Sequence, residues 1–301
     1  MSFIYGIVLF CKGLASNIMI LISLGHFCDI HGPTIIIVTQ EGEIGNSGNE
    51  LLLPDYPTES YCESCMVKIP DCDGSDENGA DVDTEAEVST TDTISENTLL
   101  PASNVPRSIR SKLGEKSFVS SQYSAIRYQL LTSMIRKAFS EETMIYDGSP
   151  SVFYDESKGL NLVMGFKLHD PNARGNERRY CLILTIESVD ETNAMGLIAA
   201  HWHFIVGGFS MMINAIKEKH AQNNDGLESN HDLQKNFTQD IGNYLRANKG
   251  KCARNLSELT NDKFTFLRIH KWNTYMIDTL CSKLQRADQS SVIKERSKHA
   301  S

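Results

Sequence analysis

Two groups of residues in this 301-residue chain have the types and spacing that chemistry uses. The first is Pro171-Asn172-Ala173-Arg174-Gly175-Asn176-Glu177-Arg178-Arg179-Tyr180, three arginines within six residues, lying between two strand-like runs. Loops held by rigid neighbours are where function concentrates. Guanidinium groups there suit an anionic partner, although most exposed loop arginines are simply solvated or salt-bridged. The second group is Cys62-Glu63-Ser64-Cys65, with Cys72 nearby. This is zinc-knuckle spacing, but a structural zinc site needs four ligands, and no further Cys-x-x-Cys or His pair follows downstream. The expectation is therefore no bound metal, with Cys62 and Cys65 a reduced pair at the start of a polar loop and zinc as the alternative.

Other candidates are weaker still. His201 and His203 stand two apart in a helical pattern and so point about 200° apart, where chelation needs a spacing of three or four; they are read as packing residues. The nucleophile elbow, the phosphate loop, the dinucleotide fingerprint and His-Glu-x-x-His are all missing. No free-standing enzyme and no cofactor is expected.

The elements that must position these residues alternate clearly. Ile20–Phe27 and Thr34–Thr39 are β-branched apolar runs, joined by Asp29-Ile30-His31-Gly32-Pro33 with Gly and Pro where a tight turn needs them. Ser151–Asp155, Leu160–His169 and Arg179–Glu187 complete a predicted sheet of about five strands. Tyr123–Phe139 places apolar residues at spacings of three and four, as an amphipathic helix does. Asn193 to about Lys219 reads as one long helix carrying Gly207-Gly208, a pair assigned to close packing on the sheet or a small bend. A short helical piece is expected around Ile241–Leu245, and the last helix over Asp262 to about Leu284. Antiparallel strands with helices packed on them make an α+β sandwich.

The domain plan follows. Residues 1–18 form an N-terminal extension that imitates a signal peptide without a basic start and is far too short to span a bilayer; the fold is expected to begin at Met19. If the extension did route the chain to the secretory pathway, Asn236-Phe237-Thr238 and Asn255-Leu256-Ser257 would become glycosylation sequons. Residues 19–39 are the first hairpin, 41–116 a disordered acidic insertion, 117–285 the remainder of the domain and 286–301 a disordered tail. The net charge of −9 is local: residues 69–106 hold ten acidic side chains and no Lys or Arg, leaving −9 + 10 = +1 elsewhere. No basic stripe is available for nucleic acid, and no direct transmembrane anchor is expected. Eight cysteines without regular short spacing fit free thiols in a reducing compartment.

His26-Phe27-Cys28-Asp29-Ile30-His31-Gly32-Pro33 resembles the opening of folliculin-family proteins, in which His-Phe-Cys precedes an acidic residue and then His-Gly-Pro. The pair Cys62/Cys65, the tripeptide Ala173-Arg174-Gly175 with Tyr180 beyond it, and Arg254–Thr260 also resemble the family. The similarity runs from Met19 to about Leu284 apart from the acidic loop, and resembles a short, yeast-type member with a longin domain and no DENN domain. The resemblance implies a longin fold, a five-stranded sheet between one helix and a helix pair. It also implies a heterodimer with a folliculin-interacting-protein-type longin/DENN partner. That heterodimer would activate GTP hydrolysis by a Rag-type small GTPase of the C/D class, in amino-acid signalling to TOR, from the cytoplasm at the vacuole or lysosome membrane. Arg174 matches the family's arginine finger, Arg178 and Asn172 are candidate binding residues beside it, and His26, Phe27, Cys28, His31, Gly32 and Pro33 are structural. A guanidinium supplied in trans is worth about 10³ to 10⁵ in rate. The alternative is a non-catalytic longin adaptor in GTPase recruitment or vesicle trafficking.

Overall fold

The computed structural model describes residues 19–42, 62–70, 108–121, 133–140, 144–156, 159–187, 191–228 and 254–299. β1 (Met19–Cys28) and β2 (Gly32–Glu41) form the expected hairpin, and β5 (Pro150–Asp155), β6 (Gly159–His169) and β7 (Glu177–Glu187) fall where the apolar runs place them. Among the described residues the sheet has seven strands, not five. A second hairpin, β3 (Ser108–Leu113) and β4 (Lys116–Ser121), extends it beyond β2, giving the antiparallel order β3-β4-β2-β1-β7-β6-β5. Of β3 only Ile109 is buried among its apolar residues, so an edge strand held mainly by backbone pairing carried little hydrophobic signal. β3, the 114–115 turn that follows it and the segment 62–70 lie inside the stretch read as a disordered insertion; residues 43–61 and 71–107 of that stretch, and residues 1–18, lie outside the described residues.

The strand register sorts side chains onto two faces. Ile20, Ile22 and Leu24 point one way and Leu21 the other, as the two-residue period of a strand requires. On β2 the register slips between Leu24↔Ile37 and Gly25↔Ile35, a bulge that turns both Ile36 and Ile37 to the same face. One face is covered by the short helix α1, residues 133–138, through Met134, Ile135 and Ala138. A Cβ on Gly25 would collide with Ile135, so this glycine lets the helix approach the strand. Residues 123–132 of the expected helix lie outside the described residues.

Among the described residues the other face carries the helices α2 (Glu191–Ala200), α3 (Trp202–Glu228), α4 (Leu256–Thr260) and α5 (Thr265–His299). The single long helix expected from Asn193 is in fact α2 and α3, bent by 70° at His201. The break is not at Gly207-Gly208. Gly208 instead packs on Met276 of α5, where a Cβ would lie 2.9 Å from its methyl carbon, and Gly207 faces open space. His203 is exposed, so it is not the packing residue expected. Asn255 caps α4 in a reciprocal capping box with Glu258. α5 continues through residue 286 to His299, where a disordered tail was expected. The expected piece at 241–245 lies outside the described residues. Among the described residues no single helix is long and apolar enough to cross a membrane.

Candidate functional site

β1 and β7 are neighbours whose pairing runs to His26↔Tyr180, so the β1–β2 turn and the β6–β7 connection leave the sheet at the same end. The connection closes on itself. The Asp170 amide donates to the Asn176 carbonyl (3.0 Å), Ala173 to Asp170 (2.9 Å) and Asn176 to Ala173 (3.0 Å). The Asn172 amide donates to the Asp170 carboxylate at 3.1 Å. Ala173 is buried, whereas Gly175 takes the left-handed φ of 73° that a residue without Cβ adopts freely. Between that anchor and that bend Arg174 is exposed, and its guanidinium makes no ion pair among the described residues. Its backbone amide donates to Asp29 Oδ2 at 3.4 Å, which ties the arginine loop to the first turn.

The other arginines do different work. Arg178 is only 1% exposed, with Nε donating to Asp170 Oδ2 at 3.3 Å and Nη2 lying 3.5 Å from Asp29 Oδ2. Asp170, fully buried, also accepts from Arg254 Nε and Nη2 at 3.2 and 3.1 Å. Two arginines and two aspartates thus balance beneath the loop, and Arg178 braces it from below. Arg179 lies on β7 over the Tyr146 ring, away from Asp29. Asn172 is half-buried within the loop.

A second cluster adjoins the same turn. Cys28, His31, Cys62 and Cys65 bring one ligand atom each to within 4.8 Å of one another. The Sγ–Sγ distances are 3.4 Å for Cys28–Cys62 and 3.5 Å for Cys62–Cys65. His31 Nδ1 is 3.7 Å from Cys28 Sγ and 3.4 Å from Cys65 Sγ. The pair missing downstream of Cys62 and Cys65 is therefore upstream, as Cys28-x-x-His31 on the hairpin. Without a cation the sulphurs compete for charge. Cys28 and Cys65 pull the Cys62 thiol far below its ordinary value, while Cys28, Cys62 and burial push Cys65 up.

His26 stands behind the cluster, its Nε2 3.1 Å from Cys65 Sγ and its ring stacked on Tyr180. Burial pulls its pKa down to about 4, so the ring is neutral at physiological pH. A neutral ring donating Nε2–H to sulphur leaves Nδ1 bare, and Nδ1 has no hydrogen-bond partner among the described residues. Tyr180 is fully buried between His26 and Phe166. Phe27 is exposed and meets Phe139 edge-on.

Sequence reasoning found Arg174, Cys62 and Cys65 but missed Asp29, Asp170 and Arg254. Asp29, in the turn that ends at Gly32-Pro33, and Asp170, next to Pro171, read as turn formers, and only the tertiary fold brings distant segments together on them. The i, i+3 spacing of Cys28 and His31 was a usable signal, overlooked because the other half-site was sought only downstream.

Residues 116–280 match the Folliculin family, described as "Vesicle coat protein involved in Golgi to plasma membrane transport". Protein LST7 of Saccharomyces cerevisiae is 49% identical over 266 residues, covering 87% of this chain and 96% of LST7.

Proposed function

The chain belongs to the folliculin family, and from that premise we propose that it is the arginine-bearing subunit of a heterodimeric GTPase activator. Its partner is a folliculin-interacting-protein-type longin/DENN chain. Its target is a Rag-type small GTPase of the C/D class, engaged from the cytoplasm at the vacuole membrane in amino-acid signalling to TOR. The sheet is read as longin-type: β2-β1-β7-β6-β5 lies between α1 and the helices of the opposite face, with β3 and β4 as an addition.

The observation that carries the reading is the display of Arg174. GTP hydrolysis spreads charge over the transferred phosphoryl oxygens, and a guanidinium inserted from outside stabilises that charge without needing a nucleophile or base of its own. Such a group works only when held in place beforehand. The closed 170–176 loop and the amide bond to Asp29 supply that restraint on the backbone, while the side chain extends from it.

The test is single-turnover GTP hydrolysis by the GTPase with the purified heterodimer. Arg174→Ala lowers the stimulated rate by about 10³-fold or more without loss of complex formation, and Arg179→Ala leaves it within a few-fold. A rate for Arg174→Ala close to wild type overturns the assignment. The second reading, a non-catalytic adaptor, draws support from the vesicle-transport wording of the family description; it expects stable capture of a GTPase or transport complex with no stimulated turnover.

A further inference from the structure

Tetrahedral zinc, with bonds of about 2.3 Å to sulphur and 2.0–2.1 Å to nitrogen, sets its ligands about 3.8 Å apart for S···S and 3.5 Å for S···N. Four of the six separations among Cys28, His31, Cys62 and Cys65 run from 3.4 to 3.7 Å, and all six lie within 4.8 Å, so that small shifts of the side chains bring the set onto that polyhedron. The donor set points the same way, since thiolates with an imidazole select zinc over hard cations. Four protein ligands leave no open position, which is the mark of a structural and not a catalytic site.

The surroundings are those that stabilise bound thiolates. The Ile30 amide points at Cys28 Sγ (3.4 Å), Ser64 Oγ lies 3.0 Å from Cys62 Sγ, and His26 Nε2 reaches Cys65 Sγ. Donors of this kind orient ligands and spread their charge. The residues after the turn are tied down by Val67 and Ile69 on the core and by the Lys68–Glu258 ion pair, but the turn itself has few apolar contacts. Residues 62–65 form a single turn, and the segment that carries them buries only Cys65 and Val67 among its apolar side chains.

We propose that Cys28, His31, Cys62 and Cys65 bind one zinc ion in a closed Cys₃His centre that pins the 62–65 turn to the tip of the first hairpin. The site stands apart from any role in GTP hydrolysis. Its position nevertheless links it to the arginine loop, because Asp29 lies between the ligands Cys28 and His31 and its carboxylate holds both the Arg174 amide and Arg178.

The experiment uses the full chain, purified under reducing conditions without chelator, with its partner chain where that is needed for solubility. Elemental analysis finds about one zinc per chain. Replacement of zinc by cobalt gives the visible absorption of tetrahedral thiolate-bound cobalt, a readout that needs no variant. His31→Ala, at an exposed position, and Cys62→Ser each remove most of the metal, while Cys281→Ser retains it. Three results would overturn the proposal. One is protein with neither zinc nor cobalt–thiolate absorption on titration, including the case of an intact mass two daltons low from a Cys62–Cys65 disulfide. The second is stoichiometric zinc retained in the Cys62→Ser, Cys65→Ser double variant. The third is iron in place of zinc.

Discussion

Asp29 is where the two halves of the site meet: its carboxylate accepts the Arg174 amide and faces Arg178, while the residues on either side of its turn belong to the thiol cluster. Beneath it, Asp170 is fully buried and holds two arginines. Removing one partner of a buried pair leaves the other charge uncompensated, which costs about 3–5 kcal/mol. Arg254 still pairs with Asp170 when Arg178 is gone, so Arg178→Met is expected to lower unfolding stability in urea by less than that full cost, about 2 kcal/mol, whereas Arg174→Ala, at an exposed side chain, changes it by no more than about 0.5 kcal/mol. Equal effects from the two variants would sink the distinction between a bracing and a displayed arginine. Arg174 was legible in the sequence because a family motif surrounds it. Asp170 and Arg254 were not, since 84 residues separate them and no local pattern announces a contact made through tertiary folding.

Among elements, the five strands built from β-branched and apolar runs were legible almost to the residue: β1, β2, β6 and β7 are buried on both faces and cannot disguise their composition, and β5, half-buried throughout, still carries the run Val152-Phe153-Tyr154. β3 and β4 were not: Ser108-Ile109-Arg110-Ser111-Lys112-Leu113 looks like the loop that precedes it, and its order comes from the ladder with β4. The bend at His201 was hidden for the opposite reason, an apolar pattern that runs through it unbroken. The neighbouring glycines were rightly suspected of close packing, but only one packs, and on a helix instead of the sheet. Gly207→Ala, with nothing within 4 Å of the new methyl, should stabilise the chain by about 0.5–1 kcal/mol through helix propensity. Gly208→Val must displace Met276 and should destabilise it by about 1–3 kcal/mol. Paired thermal melts would show the two adjacent substitutions moving in opposite directions; a shared direction would mean that the α3–α5 contact is looser than described.

At the scale of the whole molecule, a buried polar chain fastens α5 to the sheet extension. His270 Nδ1 meets Ser120 Oγ at 2.6 Å, Ser120 meets Thr39 at 2.7 Å, Asn273 donates to Thr39 at 2.9 Å, and His270 Nε2 reaches Ser111 of β3 at 2.8 Å. Burial, with Lys271 adding to it, lowers the His270 pKa from 6.5 to about 4. Between those values the unfolded chain binds the proton and the folded chain does not, so stability rises with pH across the window and is lost as pH falls from 6.5 towards 4. The loss amounts to something on the order of 3 kcal/mol. Urea unfolding at stepped pH should show this slope, shallower in His270→Gln; an unchanged slope in that variant would assign the titration to other groups.

The same sheet order has a consequence in time. β1 lies at the centre, yet one of its two partners, β7, begins at Glu177, some 149 residues after Cys28. A ribosome adding about 5–20 residues per second needs roughly 8–30 s to make that interval. Until it ends β1 has no β7 to pair with, so that edge stays open once the first hairpin has emerged, and closing so long a loop is slow even afterwards. Newly made chains therefore pass through a period in which that edge is open to other strands, and the interval in which a chaperone or partner can protect it is set by the speed of translation.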